Sequence, residues 1–243
     1  MKIKLKVLGS GSSGNCYILE NDEEALIIEA GLPFTEVKKA LDFNVMKIKA
    51  VITTHFHIDH SLYSLQYVQA GIPVFEPCRP PIKYSEMRFR KGNFDIRAFE
   101  NRDKSGRWLH NNGDGSECPC VGFYITHPEM GSLVYATDTE YVRWRFNGVN
   151  HIMVEANYDM QFVNREEPNY EHRLRGHMSL PTALDFISTN DNPALRNVVL
   201  IHLSDKSADS ALFKQKTEET VKYGANVYIA EKGLEVDMNL CPF

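Results

Sequence analysis

Apolar and polar residues alternate from the start of the chain. Ile3, Leu5 and Val7 interleave with Lys2, Lys4 and Lys6, a period of two that predicts a half-buried strand. Further strands are predicted at CYILE (16–20), ALIIEA (25–30) and the apolar run KAVITTH (49–55), with GSGSSGN (9–15) as a tight connection. Residues 35–42 read as a short helix capped by Thr35, and 60–70 as another. FDIRAF (94–99), VGFYIT (121–126), SLVYAT (132–137) and HIMVEA (151–156) continue the strand-rich pattern. The stretch 100–120 reads as a loop long enough to suggest function. Ser179 caps a helix with Pro181 in its first turn, NVVLIHL (197–203) is a buried strand, and residues 210–223 are a helix closed by Gly224. NVYIA and LEVDM flank Glu231-Lys232-Gly233 and predict a closing hairpin. Strands dominate both halves and helices come late in each. This predicts an α+β fold, two mixed sheets packed face to face with helices outside, as one domain over residues 1–243.

Composition narrows the class. Hydrophobic residues make up 43% and charged residues 24%, as in folded soluble domains, which excludes a disordered or fibrous chain. Lys and Arg total 27 against 32 Asp and Glu, a net charge of −5, which argues against binding nucleic acid through bulk charge but leaves room for a local basic patch. The five cysteines, Cys16, Cys78, Cys118, Cys120 and Cys241, are odd in number and irregular in spacing. They predict a reduced, cytoplasmic setting with no disulfide framework. MKIKLKVLG has no apolar core of a signal peptide, and no apolar run approaches the length of a membrane span.

The chemistry concentrates after the strand 49–55, in His55-Phe56-His57-Ile58-Asp59-His60. The i, i+2 spacing off a strand end directs His55 and His57 the same way, while Asp59 and His60 turn with the start of a helix. Four near neighbours in a chain do not share one tetrahedron easily, whereas two metals about 3.5–4 Å apart could use them all.

T-H-F-H-I-D-H resembles the signature of the metallo-β-lactamase superfamily, whose fold is an αβ/βα sandwich with a dinuclear metal site at one edge. GSGSSGNCYILE, IIEAG, CPCVGFYI, YATDT, EANYD, GHMSLP and LIHLSD follow in that family's order. They resemble most the small single-domain branch of the WalJ and YycJ proteins and of the phosphonate-pathway cyclic phosphodiesterases. The resemblance implies His55, His57 and His110 on one metal, and Asp59, His60 and His202 on the other. Asp138 and a water or hydroxide would lie between them, the hydroxide being the nucleophile. His127 competes with His110 but precedes Pro128 in a turn-like segment. Such a nitrogen and oxygen donor set suits two divalent ions, zinc first, with manganese or iron as alternatives. Glu29 stands where the family carries an Asp that steadies a metal-binding histidine, one methylene longer here.

What the resemblance implies is hydrolysis. Asp138 separates the chain from the lactamases, which lack this carboxylate, and H-x-H separates it from the di-iron oxygen reductases, which carry H-x-E. His177, in EHRLRGHMSLP, resembles a histidine that protonates the leaving oxygen in the superfamily's phosphodiesterases. Asp59 and His177 are therefore the expected catalytic side chains. Arg173 and Arg175 could clamp phosphate. Ser12, with Ser10 and Asn15, and Lys206 are candidates on the substrate side, and Tyr158 and Asp159 fill a further motif without an assigned role. The expected substrate is a phosphodiester, either a small cyclic or nucleotide ester or a nucleic acid, and no membrane partner is expected. The alternatives are a thioester or lactone hydrolase of the glyoxalase type, whose ligands are the same, and a metal-binding protein without catalysis.

Overall fold

The structure is a computed structural model that describes residues 2–76, 88–166 and 170–240. Cys78 and Cys241 lie outside the described residues; Cys16, Cys118 and Cys120 are buried thiols, with no disulfide among the described residues. Among the described residues no helix is long and apolar enough to cross a membrane.

Two mixed sheets form. The first contains β1 (Lys4–Gly9), β2 (Cys16–Glu20), β3 (Ala25–Ile28), β4 (Ile48–Ile52), β5 (Val74–Phe75) and β13 (Glu235–Asp237), in the order β13-β1-β2-β3-β4-β5. The second contains β6 (Arg88–Lys91), β7 (Phe94–Glu100), β8 (Val121–His127), β9 (Gly131–Ala136), β10 (His151–Glu155), β11 (Asn197–Ile201) and β12 (Asn226–Ile229), in the order β12-β11-β10-β9-β8-β7-β6. Helices α1 (Phe34–Ala40), α2 (Ile58–Ser61), α3 (Ser64–Gln69), α4 (Tyr170–Gly176), α5 (Leu180–Asn190) and α6 (Ser210–Thr220) complete the chain.

By its internal packing the chain divides into two units, one of residues 1–98, 125–131 and 230–243, the other of 99–124 and 132–229. In the first, β1, β2 and β3 pair antiparallel, and β3, β4 and β5 parallel. Ile18, Ile27, Val51, Val37 and Tyr67 are fully buried in its core. In the second, β9, β10, β11 and β12 run parallel, and Val134, Ile152, Val154, Leu200, Ile187 and Phe213 form the core. Each such aliphatic side chain contributes about 1.5–3 kcal/mol on burial. β10 and β11 are buried along their whole length. That is why their sequences read as continuous apolar runs instead of alternating ones.

Three expectations change. The closing hairpin does not form: β12 pairs parallel with β11, whereas β13 pairs antiparallel with β1. The Glu231-Lys232-Gly233 turn bonds back to β1 through the Gly233 N–H and the Val7 carbonyl, 2.8 Å. The helix expected over 60–70 is two short ones, broken at Leu62 and Tyr63. Helix α1 starts at Phe34 with Pro33 at its cap, so Thr35 lies inside it. Ser179 caps α5 as expected, accepting from the Thr182 N–H. The stretch 101–120 holds neither helix nor strand, only the bridges Arg102–Trp108 and Asn111–Glu117.

Candidate metal centre

In the first unit the donor loop leaves β4, and α2 begins within it. His55 and His60 are buried and His57 and Asp59 half-buried, with the His55 ring 4.6 Å from His57 and 4.3 Å from His60, centre to centre. Two segments hold this loop. Asn15 donates its backbone N–H to the Asp59 carbonyl (2.7 Å) and its side-chain amide to the Asp59 carboxylate (3.2 Å), beside His60 Nε2 (3.1 Å). The candidate substrate-side residue Asn15 is thus fully buried and engaged in fixing Asp59; Ser10 accepts from the Tyr17 hydroxyl, and Ser12 is exposed. The second segment is the end of β3. The Glu29 carboxylate lies 3.3 Å from His60 Nδ1, and it accepts from the Thr54 hydroxyl (2.7 Å), which in turn meets His55 Nδ1 at 2.9 Å. Glu29 therefore touches His60, and reaches His55 through Thr54, despite its extra methylene. Its backbone is left-handed, φ 66°, a conformation that costs a non-glycine residue about 1–3 kcal/mol and recurs at functional sites.

Gly31 completes the support. A Cβ there would lie 1.8 Å from the Asp59 carbonyl oxygen and 2.7 Å from the Asn15 nitrogen, so any side chain displaces the donor loop. Gly31→Ala is expected to lower bound metal, measured by elemental analysis, while Gly113→Ala, where a Cβ meets nothing within 4 Å, leaves it unchanged.

In the second unit the parallel strands do the positioning. Val154 is in register with Ala136, and Glu155 with Ile201, so the residues leaving β9, β10 and β11 emerge side by side. These are Asp138, Glu155 and His202. Asp138 (φ 51°) and His202 (φ 55°) both take the left-handed conformation as the strands end. Asp138, Glu155, His177 and His202 each offer a donor atom within 4.8 Å of the others. Glu155, unsuspected from sequence, organises the group. One of its oxygens meets His177 Nδ1 at 2.7 Å and His202 Nδ1 at 3.0 Å; the other accepts from the N–H of Thr139 (3.3 Å) and of Met178 (3.2 Å). Fully buried, it holds three segments of chain through one carboxylate. His177 Nδ1 also lies 3.4 Å from Asp138.

His110 is buried with Nδ1 2.7 Å from the Gly176 carbonyl and Nε2 3.9 Å from Asp138. His127 is used elsewhere. Its Nε2 meets the Glu24 carboxylate at 3.0 Å, and its Nδ1 accepts from the Glu129 N–H. Burial would raise the Glu24 pKa, but the bonds from His127 and Asn93 hold it below the usual carboxylate range. Arg173 is buried in α4. Arg175 is exposed and paired with Glu171 on its own helix, and Lys206 is exposed. His172, also unsuspected, lies with its ring 5.5 Å from that of His177. Asp159 caps a short turn through the Gln161 N–H; burial and the Glu155 and Glu140 charges push the Tyr158 hydroxyl up to about 12.

The donors suit hard or borderline divalent ions: several imidazoles and two carboxylates, with the histidine Nδ1 atoms turned to Thr54, Glu29, Gly176 and Glu155. A histidine held at one ring nitrogen presents the other in a fixed direction, the usual arrangement around protein-bound metals. A sequence model of the metallo-beta-lactamase superfamily matches residues 9–139, over half of the chain. The chain belongs to the metallo-beta-lactamase superfamily. Exodeoxyribonuclease YycJ of Bacillus anthracis is 22% identical over 263 residues, covering 97% of this chain and 92% of that protein. Among solved structures, the metallo-beta-lactamase fold protein YhfI from Bacillus subtilis superposes with a TM-score of 0.69 at 16% identity, over 98% of this chain and 100% of its own. A diphosphatase from the PhnP family superposes with a TM-score of 0.60 at 14% identity, over 99% of each chain. The α+β sandwich expected from sequence is thus the fold of this metallo-beta-lactamase superfamily member.

Proposed function

We propose that this member of the superfamily is a phosphodiesterase that works with two divalent metal ions, zinc first. In this reading residues 1–243 act as one hydrolase domain. His55, His57 and His110 hold one ion, Asp59, His60 and His202 the other, and Asp138 serves both. Bound metals would supply an acidified water and draw charge from the phosphate oxygens.

The observation that carries the choice of reaction is the pairing of His177 with Glu155, 2.7 Å. A carboxylate on Nδ1 fixes the ring and leaves Nε2 as the nitrogen that can deliver a proton. Cleaving a phosphodiester releases an alkoxide, a poor leaving group that needs that proton. Expulsion of a thiolate from a thioester needs it far less, so a half-buried histidine held by a buried carboxylate is of more use to a phosphodiesterase. Buried Arg173 is the better placed of the two arginines to meet phosphate, since Arg175 is engaged at the surface. The similarity to an exodeoxyribonuclease supports the same class.

Purified protein supplied with zinc or manganese is expected to hydrolyse bis(p-nitrophenyl) phosphate faster than a thioester such as lactoylglutathione. Rapid thioester turnover with no phosphodiester cleavage would select the glyoxalase-type alternative.

A further inference from the structure

We infer that Arg143, Trp144 and Arg145, in the second unit, form a ledge that binds single-stranded nucleic acid. This rests on the phosphodiesterase reading and narrows its substrate to a polynucleotide.

The ledge follows directly from the candidate metal carboxylate, in D-T-E-Y-V-R-W-R. Arg143 lies five positions beyond Asp138, at most about 17 Å of extended chain. It is bound to the segment that carries His110. The Glu140 N–H donates to the Leu109 carbonyl (2.9 Å), and the Arg107 guanidinium grips the Glu140 carboxylate at 2.7 and 3.2 Å. The Trp144 indole N–H donates to the Glu100 carbonyl (3.2 Å), and Arg143 donates to the Asp103 carbonyl (3.4 Å).

Trp144 is 42% exposed although its N–H is satisfied. The ring is therefore pinned with apolar surface facing solvent, under the Arg143 guanidinium 4.3 Å from its centre. The charges around it are already matched in part: Arg107 pairs with Asp103 and Glu140, and Arg102 with Glu100 at 3.6 Å. Among the described residues neither Arg143 nor Arg145 has a carboxylate partner, and both are exposed. A chain of net charge −5 thus carries two guanidiniums without a carboxylate partner among the described residues, in the residues that flank an exposed indole in sequence. Bases stack on such a ring whatever their sequence, and guanidiniums clamp the flanking phosphates. A cyclic or mononucleotide ester held at the catalytic groups has no length of strand to use it.

The test is fluorescence anisotropy of a labelled oligothymidylate over a salt series, with turnover of bis(p-nitrophenyl) phosphate measured in parallel. Trp144→Ala should weaken strand binding about 5- to 150-fold, with Trp144→Phe recovering most of it. Arg143→Ala with Arg145→Ala should flatten the slope of log affinity against log salt by about 1.4, two contacts at about 0.7 each. Turnover of the small ester, which is too short to reach the ledge, reports that the site itself is intact. Wild-type affinity and slope in these variants would overturn the ledge, as would polyglutamate competing as well as the strand does. If the wild type leaves the small ester uncleaved while the variants lose strand binding, the phosphodiesterase reading fails and the ledge stands.

Discussion

Replacing His110 by Ala should abolish hydrolysis and lower the metal content, while replacing His127 by Ala should do neither. The two histidines differ in what holds them. His110 Nδ1 is fixed on the Gly176 carbonyl, and Nε2 lies 3.9 Å from Asp138. A Cβ at Gly176 would lie 3.1 Å from that same Nδ1 and 2.8 Å from Asn111 Oδ1, so a side chain there presses on His110. His127 has both ring nitrogens engaged, by Glu24 and by the Glu129 N–H, in the other unit. Its removal takes one hydrogen-bond partner from a buried carboxylate that keeps Asn93, and should cost about 1–3 kcal/mol of stability. The sign of its pH dependence is set by Glu24, whose pKa is depressed in the folded state. The stability that the ionised carboxylate contributes is present above the ordinary glutamate value and lost as pH falls through the lower folded one. His127→Ala should therefore lower Tm at neutral pH, with the gap from wild type closing in acid. Metal loss in His127→Ala with full retention in His110→Ala would reverse the assignment.

His177→Ala should keep both metals and slow the cleavage of an alkyl phosphodiester by about 10²–10⁴-fold. The loss should shrink when the leaving group is p-nitrophenolate, which departs without being protonated. Geometry gives the reason: Nδ1 is committed to Glu155, so the ring has one nitrogen with which to act. Equal losses on both esters would remove the general-acid role and leave phosphate binding. Departure of a metal would make His177 a ligand, consistent with its place among Asp138, Glu155 and His202.

The first donor loop was legible because its chemistry is local. H-x-H-x-D-H puts four donors in six positions after an apolar strand, and no distant residue is needed to see it. Glu155 was not legible, although it ends the run HIMVE, because its partners lie 22 and 47 residues further on: the parallel register of β10 and β11 brings up His202, and the segment between α4 and α5, bonded to the residues after β10, brings His177. A carboxylate closing a wholly buried strand is the signal that was available. The bonds of Asn15 to Asp59 were hidden for a similar reason. A Gly-Ser loop advertises backbone donors for an anion, whereas Asn15 spends its N–H and its amide on Asp59, 44 residues away. The closing turn carried a correct local signal, yet turn chemistry does not say which sheet the next strand joins, and β13 joined β1.

The central claim is tested most directly by stripping the protein with a chelator and adding zinc or manganese back while following cleavage of bis(p-nitrophenyl) phosphate. The account predicts no activity in the stripped protein and a rise that levels off at two metal ions per chain. Activity that survives stripping, or that stays absent with two ions bound, would contradict it.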